Sequence, residues 1–187
     1  MKAIAIDIDD TLNDFSETLQ SMEFPYDEGY GIDEETFLRY IGWIKTEIPK
    51  EEIKNKDLTS LWHIVHKRIH KEANARPGAA AFVQWLKSEG WTVVILTYRD
   101  LRLAEGYTKE WLEQNDIPYD YLFSSDNKIL MCKAWDITHL IEDNINDVIT
   151  GENSGVNVAY PVMKKHEGLE TTAKGFIEFK ELETWIA

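Results

Sequence analysis

The sequence predicts a three-layer α/β fold, a mostly parallel sheet with helices on both faces and a helical insertion. Five short apolar runs, often β-branched, are separated by stretches of helical periodicity. The runs are apolar throughout instead of alternating, as expected of strands buried on both faces. One connection is too long for a simple crossover and carries helical periodicity of its own. Such βαβα alternation implies right-handed crossovers, and ligands then bind outside the carboxyl ends of the strands, so chemistry is sought just after each run.

The first run, Ala3 to Ile8, leads into Asp7, Asp9 and Asp10. Roughly 80 residues then separate Asp9 from Thr92, where a crossover with its helix needs about a dozen or somewhat more. Residues 13–75 are expected to form a helical cap, leaving 1–12 and 76–187 for the sheet domain. Within the cap, Phe37, Ile41, Ile44 and Ile48, then Leu58, Leu61, Trp62, Val65 and Ile69, follow helical spacing. Turns are expected at Glu28 to Gly31 and at Ile48 to Lys50. Pro77 is expected in the first turn of the helix before the second run, Trp91 to Leu96. Leu103, Tyr107, Trp111 and Leu112 define the next helix. The remaining runs are Tyr121 to Phe123, His139 to Ile141 and Val156 to Ala159, and Phe176, Phe179, Leu182 and Ile186 predict a terminal helix, or a strand and a helix.

Of the 187 residues, 43% are hydrophobic and 29% charged. A chain this long removes roughly 70% of its unfolded surface on folding, so its core needs no staples. The one cysteine, Cys132, makes no intrachain disulfide, and a reduced thiol fits the cytoplasm, the expected compartment. Three aspartates interrupt the apolar stretch after Lys2, so no signal peptide is expected. No apolar run nears the roughly 20 residues that cross a bilayer. With 34 acidic against 20 basic residues and a net charge of -14, long nucleic acid is disfavoured as a partner.

Strand alternation is expected to put Asp7 and Asp9 on one side of the sheet's active edge. Glu142-Asp143 ends the fourth run, and Asp147 follows one helical turn later. Three or four carboxylates then converge, where like charges raise each other's pKa and a divalent cation relieves the conflict. Hard oxygen ligands without His or Cys suit Mg²⁺, which is shared with substrate phosphates. Thr97 offers a hydroxyl and, with Tyr98, backbone N–H groups for a phosphoryl group, and Lys128 offers a point charge. Lys133 also precedes the fourth run, but it falls more than a turn farther from the strand ends than Lys128.

Asp7-Ile8-Asp9-Asp10-Thr11, an apolar strand ending at Thr97, a lysine before the fourth strand and Asp143-Asn144-Ile145-Asn146-Asp147 occur in that order. With these four motifs the chain resembles the haloacid dehalogenase (HAD) superfamily of phosphohydrolases, which implies a Rossmann-like core with an inserted cap. The resemblance implies that Asp7 attacks phosphorus and forms an aspartyl-phosphate, while Asp9 protonates the leaving oxygen and later activates water. It implies Mg²⁺ held by Asp7, the backbone carbonyl of Asp9 and Asp143, with Asp147 orienting water on the metal. Thr97, Tyr98 and Lys128 would stabilise the transferring group.

Within the superfamily, Asp7 to Phe15 is similar to the opening of the 5′(3′)-deoxyribonucleotidases. This implies a nucleoside monophosphate as substrate and Phe15 in its pocket, and Thr108-Lys109-Glu110-Trp111-Leu112 fits that group. Glu142, and Tyr98-Arg99, depart from its pattern. Arg99 with the T-x-x-W-L segment also resembles the 3′-phosphatase of polynucleotide kinase-phosphatases, against which the acidic charge and the lack of a basic stripe argue. A catalytically silent binding protein of the same fold is disfavoured because Asp7 and Asp9 are both present. Plainer readings stand beside these: Thr11 capping a helix, Asp143 and Asp147 complementing a helix dipole, and Phe15, Leu19 and Met22 sharing one core-facing helical stripe. His63, His66 and His70 read as a solvated or phosphate-facing cluster, and Trp43 or Trp62 as a platform for a base.

Overall fold

Successive strand residues point to opposite faces, and the apolar runs use this to build two cores from one sheet. The computed structural model describes residues 2–45 and 59–186; the expected turn at Ile48 to Lys50 and the periodic Ile48 and Leu58 lie outside them. The strands are β1 (Ala3–Ile6), β2 (Thr92–Thr97), β3 (Tyr121–Ser124), β4 (His139–Ile141), β5 (Asn157–Pro161) and β6 (Lys174–Phe176). They form a 6-stranded sheet in the order β3-β2-β1-β4-β5-β6, every neighbouring pair parallel.

Ile4, Ile6, Val93 and Ile95 join Phe82, Val83 and Leu86 of α4 (Ala79–Ser88), Trp111 and Leu112 of α5 (Leu101–Gln114), and Leu182 of α8 (Glu181–Ile186). Ala3, Ala5, Val94, Leu96 and Leu140 join Ile129 and Cys132 of α6 (Lys128–Ala134) and Val148 of α7 (Ile145–Asn153). Helices therefore cover both faces, as the unbroken apolar runs require. Each fully buried large aliphatic side chain contributes up to about 1.5–3 kcal/mol, so these two layers dominate the stabilisation of the sheet.

The chain divides into two compact units, one running up to Asp14 and resuming at Asn74, the other spanning Phe15–Ala73. In the sheet unit the outgoing and returning segments lie side by side: Asn13 bridges Ala75, and the Asp14 N–H donates to the Asn74 carbonyl at 3.0 Å. The helical unit contains α1 (Phe15–Ser21), α2 (Glu34–Ile44) and α3 (Thr59–Glu72), around Leu19, Met22, Phe37, Tyr40, Leu61, Val65 and Ile69. Asp33 caps α2 by accepting from the Thr36 N–H at 2.8 Å, and Lys45 Nζ donates to the Gln20 and Met22 carbonyls near the end of α1.

Three local readings shift. The first strand ends at Ile6, although Ile8 is fully buried, because the chain turns there: the Ile8 carbonyl accepts from the N–H groups of Thr11, Leu12 and Asn13. The helix after Pro77 starts at Ala79, with Pro77 in the preceding turn, since Gly78 at φ 84 takes the cap position and tolerates that angle without a Cβ. The tail supplies both a strand and a helix, β6 and α8. Among the described residues no helix is long and apolar enough to cross a membrane.

Gly151 marks the closest approach of α7 to its neighbours, for a Cβ there would lie 2.5 Å from Val158 Cγ2 and 3.1 Å from Ile129 Cδ1. Alanine gains about 1 kcal/mol of helix propensity, but overpacking typically costs about 1–3 kcal/mol. Gly151→Ala is therefore expected to be less stable in urea denaturation; a more stable variant would show that α7 can move away from β5 without loss.

Candidate active site

The strand order reverses direction at β1: the chain passes outward through β2 to β3, then returns to place β4 on the other side of β1. A crevice at the carboxyl ends is expected at such a switch point, and the segments after β1, β2 and β4, with the start of α6, converge there. Short polar caps fix where each helix begins. Asn127 accepts from Leu130 N–H at 2.9 Å, making Lys128 the first residue of α6, and Asn144 accepts from Asn146 and Asp147 N–H, setting Asp147 in the first turn of α7.

Lys128 is fully buried, and its Nζ lies 2.6 Å from both Asp7 Oδ1 and Glu142 Oε2. Burial works against its charge, yet the two carboxylates outweigh it and raise the lysine pKa. Burial raises the Asp7 pKa well above the usual carboxylate range; Lys128 opposes the shift, while Glu142, Asp143 and Asp9 add to it. Burial likewise pushes Glu142 up to about 7 against the pull of Lys128. Glu142 Oε1 also accepts the N–H groups of Asp143 and Asn144 at 3.1 and 3.0 Å, so both its oxygens are engaged. Lys133 is exposed near the end of α6.

Asp143 accepts from Thr11 Oγ1 at 3.1 Å and from Lys165 Nζ, which also lies 3.5 Å from Asp10. Asp9 is turned elsewhere. Its two oxygens receive the Arg99 fork, Nη2 at 2.6 Å and Nε at 2.9 Å, and Oδ1 also takes Asn13 Nδ2 at 3.1 Å. Simple alternation of Asp7 and Asp9 does not describe this, because β1 has ended and Asp10, at φ 61, reverses the chain. Arg99 is buried and further bonded to Thr108 of α5 at 3.2 Å. Thr97 ends β2, almost fully buried, and its Oγ1 accepts the Arg99 N–H at 3.2 Å. The half-exposed Tyr98 donates its hydroxyl to Asp147 at 2.6 Å, its ring lies 4.4 Å from Lys128 Nζ, and burial with the Asp147 bond raises its pKa.

Asp7, Glu142 and Asp143 each present an oxygen within 4.8 Å of the others, and among the described residues they alone form a group of three able to hold a metal. An all-carboxylate donor set fits a hard divalent cation. The Asp9 carboxylate is not in that group and Glu142 is. Asp7, Lys128, Asp143, Tyr98 and Asp147 are thus brought together at the carboxyl ends of the inner strands, where Thr97 also ends β2, and Asp9 is held there by Arg99. Phe15 belongs to the helical unit, where its ring lies 6.0 Å from His66 and 5.4 Å from His70. The roles of Arg99 and Lys165 are not legible in sequence; only the adjacency of Arg99 to Thr97 hinted at the first.

No family model matches the sequence, and neither does any curated protein. Solved structures do match over nearly the whole chain. A Clostridium acetobutylicum protein described as a predicted phosphatase superposes with a TM-score of 0.65 at 15% identity, covering 99% of this chain and 97% of that one. A HAD family hydrolase from Deinococcus radiodurans, solved with phosphate and sodium, gives 0.60 at 15% identity, covering 100% and 95%. A HAD-superfamily hydrolase from Ehrlichia chaffeensis gives 0.52 at 15% identity, covering 100% and 97%. The fold is that of the HAD superfamily: a parallel Rossmann-like α/β sheet with flanking helices.

Removing the Lys128 charge strands two buried carboxylates, which typically costs about 3–5 kcal/mol. Lys128→Met, similar in volume, is therefore expected to lose that much stability at pH 7 without metal. The loss shrinks as the pH falls, because Asp7 and Glu142, their pKa values raised further, protonate and become neutral. Chemical denaturation of wild type and Lys128→Met at pH 5 and pH 7 measures it; an equal loss at both values would assign the effect to packing.

Proposed function

We propose that the protein is a magnesium-dependent phosphomonoesterase with Asp7 as nucleophile. The observation that carries the reading is the buried Lys128 ammonium, 2.6 Å from Asp7 at the sheet edge that also bears Thr97 and Asp143. A buried aspartate becomes a nucleophile only when ionised, and Lys128 supports its ionised form. Lys128 takes Asp7 Oδ1, and we assign attack to Oδ2. A bond forms from Oδ2 to phosphorus as the bond to the leaving alcohol breaks, and Asp9 gives its proton to the departing oxygen. Asp9 then takes a proton from the water that attacks phosphorus in the aspartyl-phosphate, releasing inorganic phosphate and restoring Asp7. The Arg99 fork holds Asp9 as an acceptor, as this second half needs; in the first half Asp9 has to release one arm of the fork to carry the proton it donates. Thr97, the Tyr98 N–H and Lys128 stabilise negative charge on the transferring group.

When bound, Mg²⁺ would be held by Asp7, Asp143 and the Asp9 carbonyl, with Asp147 orienting water around it, and would offset the charge between nucleophile and phosphate. Glu142 is assigned to neutralising Lys128, since both its oxygens are already engaged. A nucleoside monophosphate is the substrate we favour. Support comes from the Asp7–Phe15 resemblance and from the acidic net charge that disfavours polymers.

Phosphate release with Mg²⁺ from deoxy- and ribonucleoside 5′- and 3′-monophosphates, sugar phosphates and a 3′-phosphorylated oligonucleotide tests the reading. Monophosphates are expected to be preferred, and Asp7→Asn to lower turnover on the order of 10³-fold or more. Activity that survives in Asp7→Asn, or that EDTA leaves unchanged, would contradict the mechanism; preference for the oligonucleotide would replace the substrate class.

A further inference from the structure

Six carboxylates near the strand ends are paired from within the chain: Asp7 and Glu142 with Lys128, Asp9 with Arg99, Asp147 with Tyr98, and Asp143 and Asp10 with Lys165. The cations differ in how firmly they are held. The side chains of Lys128 and Arg99 are 0% and 1% exposed, whereas Lys165 is 38% exposed. Lys165 rises from the 3₁₀ turn Lys164–His166, which follows β5 in the chain and belongs to none of the four motifs. The turn itself is fixed. His166 Nδ1 accepts the Met163 N–H at 3.2 Å, so Nε2 carries the ring proton and donates to the Asp143 carbonyl at 2.7 Å, and the ring packs 4.9 Å from Tyr160. A rigid turn bound to the backbone of Asp143 thus carries a flexible ammonium onto that residue's carboxylate.

We propose that Lys165 is a displaceable internal counter-cation: it holds Asp143 and Asp10 while no divalent cation is bound, yields Asp143 to the metal, and so sets the metal affinity of the site. The inference rests on Asp143 being a metal ligand, as assigned above. A divalent cation at Asp143 and the Lys165 ammonium share one anion and repel each other, so metal binding and Lys165 pairing oppose one another, and the opposition is reciprocal. The partly exposed pair loses little solvation and is readily exchanged; the buried Lys128 pair is not. Lys165 therefore protects the metal-free site from the repulsion of Asp143 and Asp10, at the expense of affinity for the metal.

Calorimetric titration of Mg²⁺ into EDTA-stripped protein tests this without substrate, in wild type, Lys165→Gln, Lys165→Arg and Lys164→Gln. Lys165→Gln is expected to bind Mg²⁺ about tenfold more tightly than wild type. Lys165→Arg, which keeps the cation, should stay near wild type. Lys164→Gln removes an equal charge from an exposed neighbour and should shift affinity no more than about twofold, since salt screens it. Melting temperatures give a second readout: Lys165→Gln melts lower than wild type without metal and gains more on adding Mg²⁺. Affinity in Lys165→Gln no higher than in wild type, or an equal gain in Lys164→Gln, would overturn the inference while leaving the metal site in place. Absence of binding in both wild type and Lys165→Gln would overturn the metal assignment with it, whereas binding in Lys165→Gln alone would support the inference most strongly.

Discussion

A single buried ammonium organises the functional end of this molecule. Lys128, with no exposure, bridges carboxylates from the ends of two adjacent strands, Asp7 after β1 and Glu142 after β4. Neither acid tolerates burial as an isolated ion, and neither does the lysine; together they form a triad in which each offsets the burial of the others. Glu142 spends its other oxygen on two backbone N–H groups at the start of α7, so the same triad also fixes where the strand gives way to the helix. The length of the Glu142 side chain lets it reach Lys128 and the helix start at once.

Around this triad the sheet arranges its remaining charges in pairs. Arg99 fixes Asp9 and ties it to α5 through Thr108, Tyr98 fixes Asp147, and Lys165 reaches Asp143 from the turn after β5. Pairing on this scale is what lets so many acids share one crevice in a chain that already carries a net charge of -14. It also separates the acids by firmness. Those paired with fully buried cations have their positions set by the fold, and the two paired with the partly exposed Lys165 keep an exchangeable partner.

The layers were legible because both faces of the sheet are buried, which writes strands as unbroken apolar runs such as Trp91 to Leu96 and His139 to Ile141. β6 was legible only as one of two options, for its three residues include Lys174 and Gly175 and only Phe176 faces the core. Asp7, Thr97, Lys128 and Asp143 could be singled out because each lies within a few residues of a strand end, where topology alone puts chemistry. Lys128 could be preferred to Lys133 on the same ground. Arg99 on Asp9 and Lys165 on Asp143 could not, since each pairing joins residues far apart in the chain through side-chain conformations that no local pattern encodes. The end of β1 at Ile6 was missed for a related reason: Ile8 is as apolar and as buried as a strand residue, but its carbonyl closes a turn.

The proposed reaction requires that the Asp7 carboxylate attack phosphorus and receive the phosphoryl group. Wild-type protein turning over a phosphate ester in Mg²⁺ can be quenched in acid, where acyl-phosphates persist, and digested for mass spectrometry. The account predicts a transient phosphoryl adduct on the peptide containing Asp7, formed with burst kinetics and cleared when the ester is exhausted. Turnover with no adduct on that peptide, or with the phosphoryl group on another residue, would contradict it.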